Sequence, residues 1–447
     1  MISRTPTRTA VVGFLIILAV LQTGSHLCAV ARANDTIPVA RQTAAASFTL
    51  PKPEKDWTVI FYNAADFQGY NPAEDFARQF RSTNRVHVIM LEDPYDGEST
   101  VWHVGGTVEA PILVALETWG EIDMGDRKTF ARILTYGTEY FPSQRTMVMM
   151  YQHGAGWRGA CYDEHPSKTR GIRYCTYLTP REMRQSLEKV GGIDALLFTA
   201  PCLMGAIEPV YELRHVTDLY MGSEPRSGFA AWVDTLPDLM ALLTDQPDLS
   251  LETLVERILA SLETRYDPGE FPEGTPEPLR RAASKVEMTA VMSSSHIEAL
   301  AASLDAFSMA LLGVLEPSIE AIRIARNESE DLMCDETVDA FDFARRCQSI
   351  PGLEATSLGF QEAIARTITD AIFNEEAFPG AHGLSLFFPF RKHEDPQFGL
   401  YNRYSFKFDD ERSDYRRSGL SLLEVTHWDE FLTGFYNMSR DPASRDE

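Results

Sequence analysis

A histidine and a cysteine, the two residue types that together carry out covalent acyl transfer, stand 49 residues apart at the ends of two apolar runs. The run 147–152 (MVMMYQ) leads into His153-Gly154, and 193–198 (IDALLF) leads into Thr199-Ala200-Pro201-Cys202. One helical pattern lies between them. If the runs are neighbouring parallel strands, their backbones lie roughly 5 Å apart, and a single crossover sets an imidazole beside a thiol. Such a pair supports nucleophilic catalysis, with the thiolate as nucleophile and the imidazole moving protons to and from the thiol and the leaving group. The backbone N–H groups of Gly154 and Cys202 are candidates for an oxyanion hole, and Gly154 has no side chain to obstruct an approaching substrate. A helix starting at Leu203 would add its N-terminus to the influences that favour thiolate, although Pro209 complicates that helix unless it starts late. The blander reading is that a cysteine at a strand end is core. The spacing and the cysteine count together weigh against it.

The elements that would position this pair follow a strand–helix–strand rhythm. Runs at 57–62 (WTVIFY), 86–91 (VHVIML), 147–152 and 193–198, with a shorter one at 219–222, are nearly all apolar, as strands buried on both faces should be. Helical periodicity falls between them, as over 126–140. Thr179-Pro180-Arg181-Glu182 combines an N-cap Thr, Pro at N1 and Glu at N3, which predicts a capping box. Met183, Leu187 and Val190 then share a face, and Gly191-Gly192 ends the helix. This order implies an α/β fold with a parallel sheet and right-handed crossovers. The expected division is a signal at 1–33, an extended lead-in at 34–56, a catalytic core at 57–235, and a largely helical region at 236–447. Helices are predicted at 251–262, 295–315 and 353–373, with a late apolar run, 383–390 (GLSLFFPF), returning as a strand.

Arg4 and Arg8, the apolar run 10–21 and the A-x-A triplet Ala31-Arg32-Ala33 make a secretory signal that leaves Asn34 as the first mature residue. The protein is therefore expected to be secreted or periplasmic. An uncleaved anchor and a lipoprotein attached at Cys28 are weaker alternatives. No later segment has 18 uninterrupted apolar residues, so no stable membrane insertion is expected after cleavage. The 447 residues carry 41 basic and 65 acidic side chains, a net charge of −24. Three arginines and no acid lie in 1–33, so the remainder stands at −27. A chain this acidic lacks the concentrated basic face that nucleic acid requires. Five cysteines remain after position 33. Cys161/Cys175 and Cys334/Cys347 are spaced closely enough to pair as disulfides, which leaves Cys202 as the odd thiol.

Other constellations are weaker. Gly154 to Gly159 formally matches G-x-G-x-x-G, but the polar stretch after it does not open a helix. Cys161, His165 and Cys175 lack a fourth ligand at zinc-site spacing, so no metal site is assigned. Asp93, Asp96 and Glu98 fall outside the EF-hand pattern and read as solvated loop acids.

WTVIFYNAAD (57–66), HGAGW (153–157), CLMGAIEPVYEL (202–213), MGSEPRSGF (221–229), VDAFDFA (338–344), GLSLFFP (383–389) and HWDEF (427–431) together resemble the clostripain-like cysteine peptidases, which belong with caspases, legumains and gingipains. The resemblance covers the chain from Trp57 to about Tyr436. It implies a caspase–hemoglobinase-like α/β/α sandwich and a cysteine endopeptidase acting on peptides or proteins through a thioester acyl-enzyme. By position, His153 and Cys202 match the catalytic dyad. The substrate pocket is expected around Ala200, Ser223, Glu224 and Trp157. No organic cofactor is implied, and calcium is admitted because some relatives use it. Some relatives mature by cleavage between the two catalytic strands, which points to the polar segment 158–173. One departure stands out: the family usually has Asp two residues before the cysteine, selecting Arg or Lys at P1, whereas this chain has Ala200. Either Glu224 or Asp163 compensates, or the pocket takes a neutral side chain. The alternative function is a non-catalytic homologue of the same fold that binds peptides or surface partners. A third is an acyltransferase using the same thioester.

Overall fold

The computed structural model describes residues 37–66, 71–163, 176–225, 227, 229–265, 277–332, 336–389 and 415–438. The signal segment, Cys175, Cys334 and most of the expected maturation segment lie outside the described residues. The strands are β1 (Ala40–Thr43), β2 (Lys55–Asn63), β3 (Val86–Glu92), β4 (Ser99–Gly106), β5 (Pro111–Gly120), β6 (Ser143–Tyr151), β7 (Ala160–Asp163), β8 (Thr176–Leu178), β9 (Ile193–Phe198), β10 (Thr217–Gly222), β11 (Met288–Met292), β12 (Thr337–Asp339), β13 (Asp370–Ile372) and β14 (Ser385–Phe387). Ten of them form one sheet in the order β1-β5-β4-β3-β2-β6-β9-β10-β11-β13. Its central five, β3-β2-β6-β9-β10, are all parallel. The apolar runs chosen from sequence are these five strands, and their burial on both faces is the reason they lack polar alternation.

Alternate residues of β2 enter different cores. Ile60 and Tyr62 face a layer that includes helices Arg127–Tyr140, Pro180–Glu188 and Ser295–Glu328, whereas Trp57, Val59 and Phe61 face Ala73–Gln79, Phe229–Asp245 and Leu251–Arg265. The architecture is the expected α/β/α sandwich with a helical C-terminal part. The predicted capping box is present: Thr179 Oγ1 accepts from Glu182 N at 3.2 Å, and Glu182 Oε2 accepts from Thr179 N at 3.1 Å.

Several boundaries differ from expectation. The lead-in supplies an edge strand, β1, parallel to β5. An antiparallel pair, β4 and β5, extends the same edge. The C-terminal half is not separate from the sheet, because β11 and β13 extend its other edge in antiparallel fashion. The late run does return as a strand, but β14 pairs with β12 in a small antiparallel sheet and meets the segment after Cys202 through a parallel bridge between Ala206 and Ser385. The helix expected to stop at residue 315 continues through Pro317 to Glu328, where Ile322 and Ala325 still bury apolar surface. That helix is long and apolar enough to cross a membrane. Its stripe of Leu300, Leu304, Phe307 and Leu311 is core.

Candidate active site

β6 and β9 are hydrogen-bonded neighbours, with Met150 opposite Phe198. The pairing persists past the strand end, where Thr199 donates to Met150 O through both its N–H (3.1 Å) and its hydroxyl (2.7 Å). The two chains then turn out of the sheet together. Gln152 adopts φ 145°, and its side-chain Oε1 accepts from the His153 N–H at 2.6 Å. On the other chain Leu203, immediately after the cysteine, has φ 61°. Left-handed backbone at two non-glycine residues that flank a His and a Cys is strain of the kind that collects at functional sites.

The contact between the turns is made by backbone. A Cβ placed on Gly154 would lie 2.4 Å from Cys202 O, 2.9 Å from Cys202 N and 2.8 Å from Pro201 Cβ. No side chain fits there, so glycine is required for the His153 and Cys202 turns to close on each other. Gly154 bridges to Ala160, but the flanking hydrogen bonds run from Ala155 N to Gly159 O and from Cys161 N to His153 O. The bridge itself therefore does not consume the Gly154 N–H. Gly154→Ala is expected to lower stability by about 1–3 kcal/mol, as overpacking does, and to slow alkylation of Cys202. Denaturant unfolding and peptide mapping of the alkylated thiol would check both, and a variant alkylated as fast as the wild type would disprove the need for this contact.

Cys202 is half-buried. Its Sγ accepts from Ser227 N–H at 3.4 Å and lies 3.7 Å from Ser227 O. Ser227 is not a candidate from the sequence; the signal for it is the MGSEPRSGF run, which leaves β10 beside Cys202. The Leu203 N–H donates to Pro225 O (2.9 Å) and the Gly205 N–H to Ser223 O (2.7 Å), so this run wraps the cysteine turn. The helix expected from Leu203 begins only at Ile207, with Ala206 as its N-cap. Pro209 then falls in its first turn, where proline is tolerated. Cys202 is therefore not at a helix N-terminus, and the expected help from a helix dipole is absent. Among the contacts of the sulfur are the Ser227 N–H, which donates to it, and the Ser227 and Ala200 carbonyls.

The histidine turn is tied to the C-terminal half. Arg158 is buried and forms an ion pair with Glu336, with a second contact from Nη2 to Oε1 at 3.2 Å. Trp157 packs edge-on against Phe387 and Tyr415, with ring centroids 5.3 and 5.1 Å away. At 3% exposure Trp157 is a core anchor, not a pocket wall.

The other expected pocket residues also separate. Ala200 lies at the end of β9 among the apolar groups of the core that holds Tyr151, Phe229 and Trp232. Ser223 and Glu224 have no exposed surface, and Glu224 Oε2 accepts from Gly383 N at 2.7 Å. Asp163 is equally buried, on β7, where its Oδ2 accepts from Met124 N at 2.7 Å. Neither acid lines an open pocket. Asp163 instead groups with Asp66 and Asp93, their oxygens within 4.8 Å of one another. Burial first, then neighbouring carboxylates, push Asp93 up to about 8 and Asp163 up to about 10, against the hydrogen bonds from Ser99 and Met124. Cys161 and Cys347 are buried thiols, and burial raises both well above the ordinary range. The partners expected for them lie outside the described residues.

The chain matches the clostripain family over residues 73–362. No curated protein matches it. Among solved structures it is similar to a secreted C11 cysteine protease from Bacteroides thetaiotaomicron in complex with an irreversible peptide inhibitor, at 16% identity and a TM-score of 0.57, over 84% of this chain and 99% of that one. It is also similar to an inactive zymogen C11 protease from Parabacteroides distasonis, at 15% identity and a TM-score of 0.54, over 78% of this chain and 96% of that one. A further structure of a secreted C11 cysteine protease from Bacteroides thetaiotaomicron shares 14% identity at a TM-score of 0.52, over 75% and 94%.

Proposed function

The chain belongs to the clostripain family and is a cysteine peptidase, and from that premise we propose that Cys202 is its nucleophile and His153 its acid–base partner. The observation that carries this reading is the backbone contact between the Gly154 and Cys202 turns, which brings the two strand ends together. Cys202 Sγ attacks the scissile carbonyl carbon and forms a C–S bond. His153 delivers a proton to the departing amine as the C–N bond breaks, leaving a thioester. Water, relieved of a proton by the same imidazole, then cleaves the thioester and restores the thiol. The N–H groups of Gly154 and Cys202 would hold the oxyanion.

The P1 residue is neutral in this reading. Position 200 has no carboxylate, and the two candidate replacements, Glu224 and Asp163, are buried and engaged elsewhere. A cationic P1 side chain would be desolvated without a partner, at a cost of several kcal/mol. The signal segment supports export of the mature chain from Asn34 onward. A neighbour described as an inactive zymogen supports comparing intact chain with chain nicked between 158 and 173. The test is hydrolysis of a P1-varied fluorogenic peptide library by residues 34–447, with Cys202→Ala as control. Turnover that survives in the control would refute the assignment. No turnover by intact or nicked chain would favour the peptide-binding homologue.

None of these steps needs a metal. If calcium binds, Asp66, Asp93 and Asp163 offer a fitting set of hard oxygen donors. Protons are the alternative way to relieve this cluster. Because folding raises the Asp93 and Asp163 carboxyls, their contribution to stability is full below their ordinary value and is lost as pH rises through about 8 for Asp93 and about 10 for Asp163. Calcium is therefore expected to raise the thermal midpoint by about 2–4 °C at pH 8 and less at pH 5, and Asp93→Asn should remove the shift. An unchanged midpoint at pH 8 would count against calcium here.

A further inference from the structure

Glu224 has a part in the site other than the pocket role its position suggested. The register of β10 and β11 places Gly222 opposite Thr289. Continued by two residues past the paired strands, it sets Glu224 opposite Glu287. Like charges directly across an antiparallel pair repel, and both side chains are at least 97% buried. Glu224 Oε1 has no hydrogen bond to a protein donor, and Glu287 receives only a poorly formed one from the Asn374 backbone N–H. The two carboxyls instead contact each other, and Glu224 also contacts Asp339. A carboxyl–carboxyl hydrogen bond exists only while one member keeps its proton.

Asp339 cannot supply the missing donor. It already caps the helix Ala340–Cys347 by accepting from Asp342 N (2.6 Å), and it accepts from His382 N (2.6 Å) with the His382 ring 3.4 Å away. Glu330, from the end of the helix Ser295–Glu328, and Asp342 add further negative charge to the neighbourhood. Arg345 and Arg346 are both engaged by Asp342. Among the described residues, His382 is the cationic side chain bonded directly to Asp339, the carboxyl in contact with Glu224. The remaining oxygen of Glu224 is fixed by the Gly383 N–H.

The backbone of this residue lies against the nucleophile's turn. A Cβ on Gly205 would meet Glu224 N at 2.6 Å, Leu203 N–H donates to Pro225 O, and Ser227 N–H donates to Cys202 Sγ. We propose that Glu224 is a positioning residue for the nucleophile: through a proton shared with Glu287 and the bond from Gly383, it holds the chain from Ser223 to Pro225 against the Cys202 turn and keeps the Ser227 N–H on the sulfur. This rests on Cys202 being the nucleophile. Burial, then the Asp339 and Glu287 carboxylates, raise Glu224 well above the ordinary range, and burial raises Glu287 to about 8. The proton is therefore held at neutral pH and lost in alkali.

The test compares wild type with Glu224→Gln, Glu224→Ala and Glu287→Gln by the rate at which iodoacetamide alkylates Cys202, read by peptide mapping, and by kcat/KM on the best library peptide. Glutamine accepts from Gly383 and donates to Glu287 without a shared proton, so Glu224→Gln should stay within about twofold of wild type at pH 7. Its alkylation rate relative to wild type should then rise above pH 8. Glu224→Ala should lose about 100-fold in both rates while remaining folded, the usual consequence of a displaced reacting group. Wild-type rates in Glu224→Ala, or a Glu224→Gln as slow as it, would overturn the proposal. If Glu224→Ala does not fold, the pH dependence decides: a constant ratio of Glu224→Gln or Glu287→Gln to wild type from pH 6 to 9 is equally fatal. Wild type that alkylates at Cys202 yet cuts no peptide would defeat the peptidase reading and leave this one standing.

Discussion

Replacing Cys202 with alanine is expected to abolish peptide hydrolysis, and replacing His153 with alanine to lower kcat/KM by about 10²–10⁴-fold, the usual contribution of a positioned acid–base group. The two losses have different origins. Without the thiol no acyl-enzyme forms. Without the imidazole the thiol remains, still receiving the Ser227 N–H at 3.4 Å, but nothing takes its proton or protonates the departing amine. Alkylation separates these roles because it needs thiolate and no leaving-group proton. In His153→Ala it should be slow at neutral pH and approach wild type in alkali, where a thiol ionises without the help of a neighbouring base. The absence of a helix N-terminus at Cys202 sharpens this expectation, since the helix begins at Ile207 and its dipole cannot stand in for the imidazole. Wild-type alkylation of His153→Ala at pH 7 would mean that His153 does not ionise the thiol and would undo the dyad.

The neighbourhood of His153 and Cys202 is legible in the sequence because it depends on topology alone. Two nearly all-apolar runs with one well-capped helix between them become adjacent parallel strands, and whatever follows them meets at the sheet edge. What the sequence hides is set by partners far along the chain. Glu224 reads as a pocket acid because it follows a strand near the cysteine. Its burial is decided by Glu287, Asp339 and Gly383, which lie 63 to 159 residues away. Trp157 is withdrawn from the pocket by Phe387 and Tyr415 in the same manner. The β4–β5 pair is missed for a local reason. β4 is mostly buried but carries Ser99, Thr100 and His103, and the half-exposed β5 carries Glu117 and Thr118, so a search for continuous apolar runs passes over them.

Specificity is where departure from the family pattern should have its largest effect. With alanine at 200, the best library peptides should carry a neutral P1 residue, and those with Arg or Lys should be poor. Ala200→Asp puts a carboxylate two residues before the nucleophile, at the end of β9 and beside an apolar core. A charge-assisted hydrogen bond contributes about 1.5–3 kcal/mol, so the preference for Arg over a neutral P1 should increase by about 10–100-fold. The same carboxylate, left unpaired in free enzyme, should lower stability, and a bound Arg-containing inhibitor should restore part of the loss. These two shifts must appear together if position 200 faces the P1 side chain. A gain in Arg cleavage with unchanged stability would place the new charge in solvent, where it steers substrate without selecting it. Wild type that already prefers Arg or Lys would disprove the neutral pocket outright. Because Glu224 and Asp163 are both buried and engaged, the acid responsible would then have to come from elsewhere in the chain.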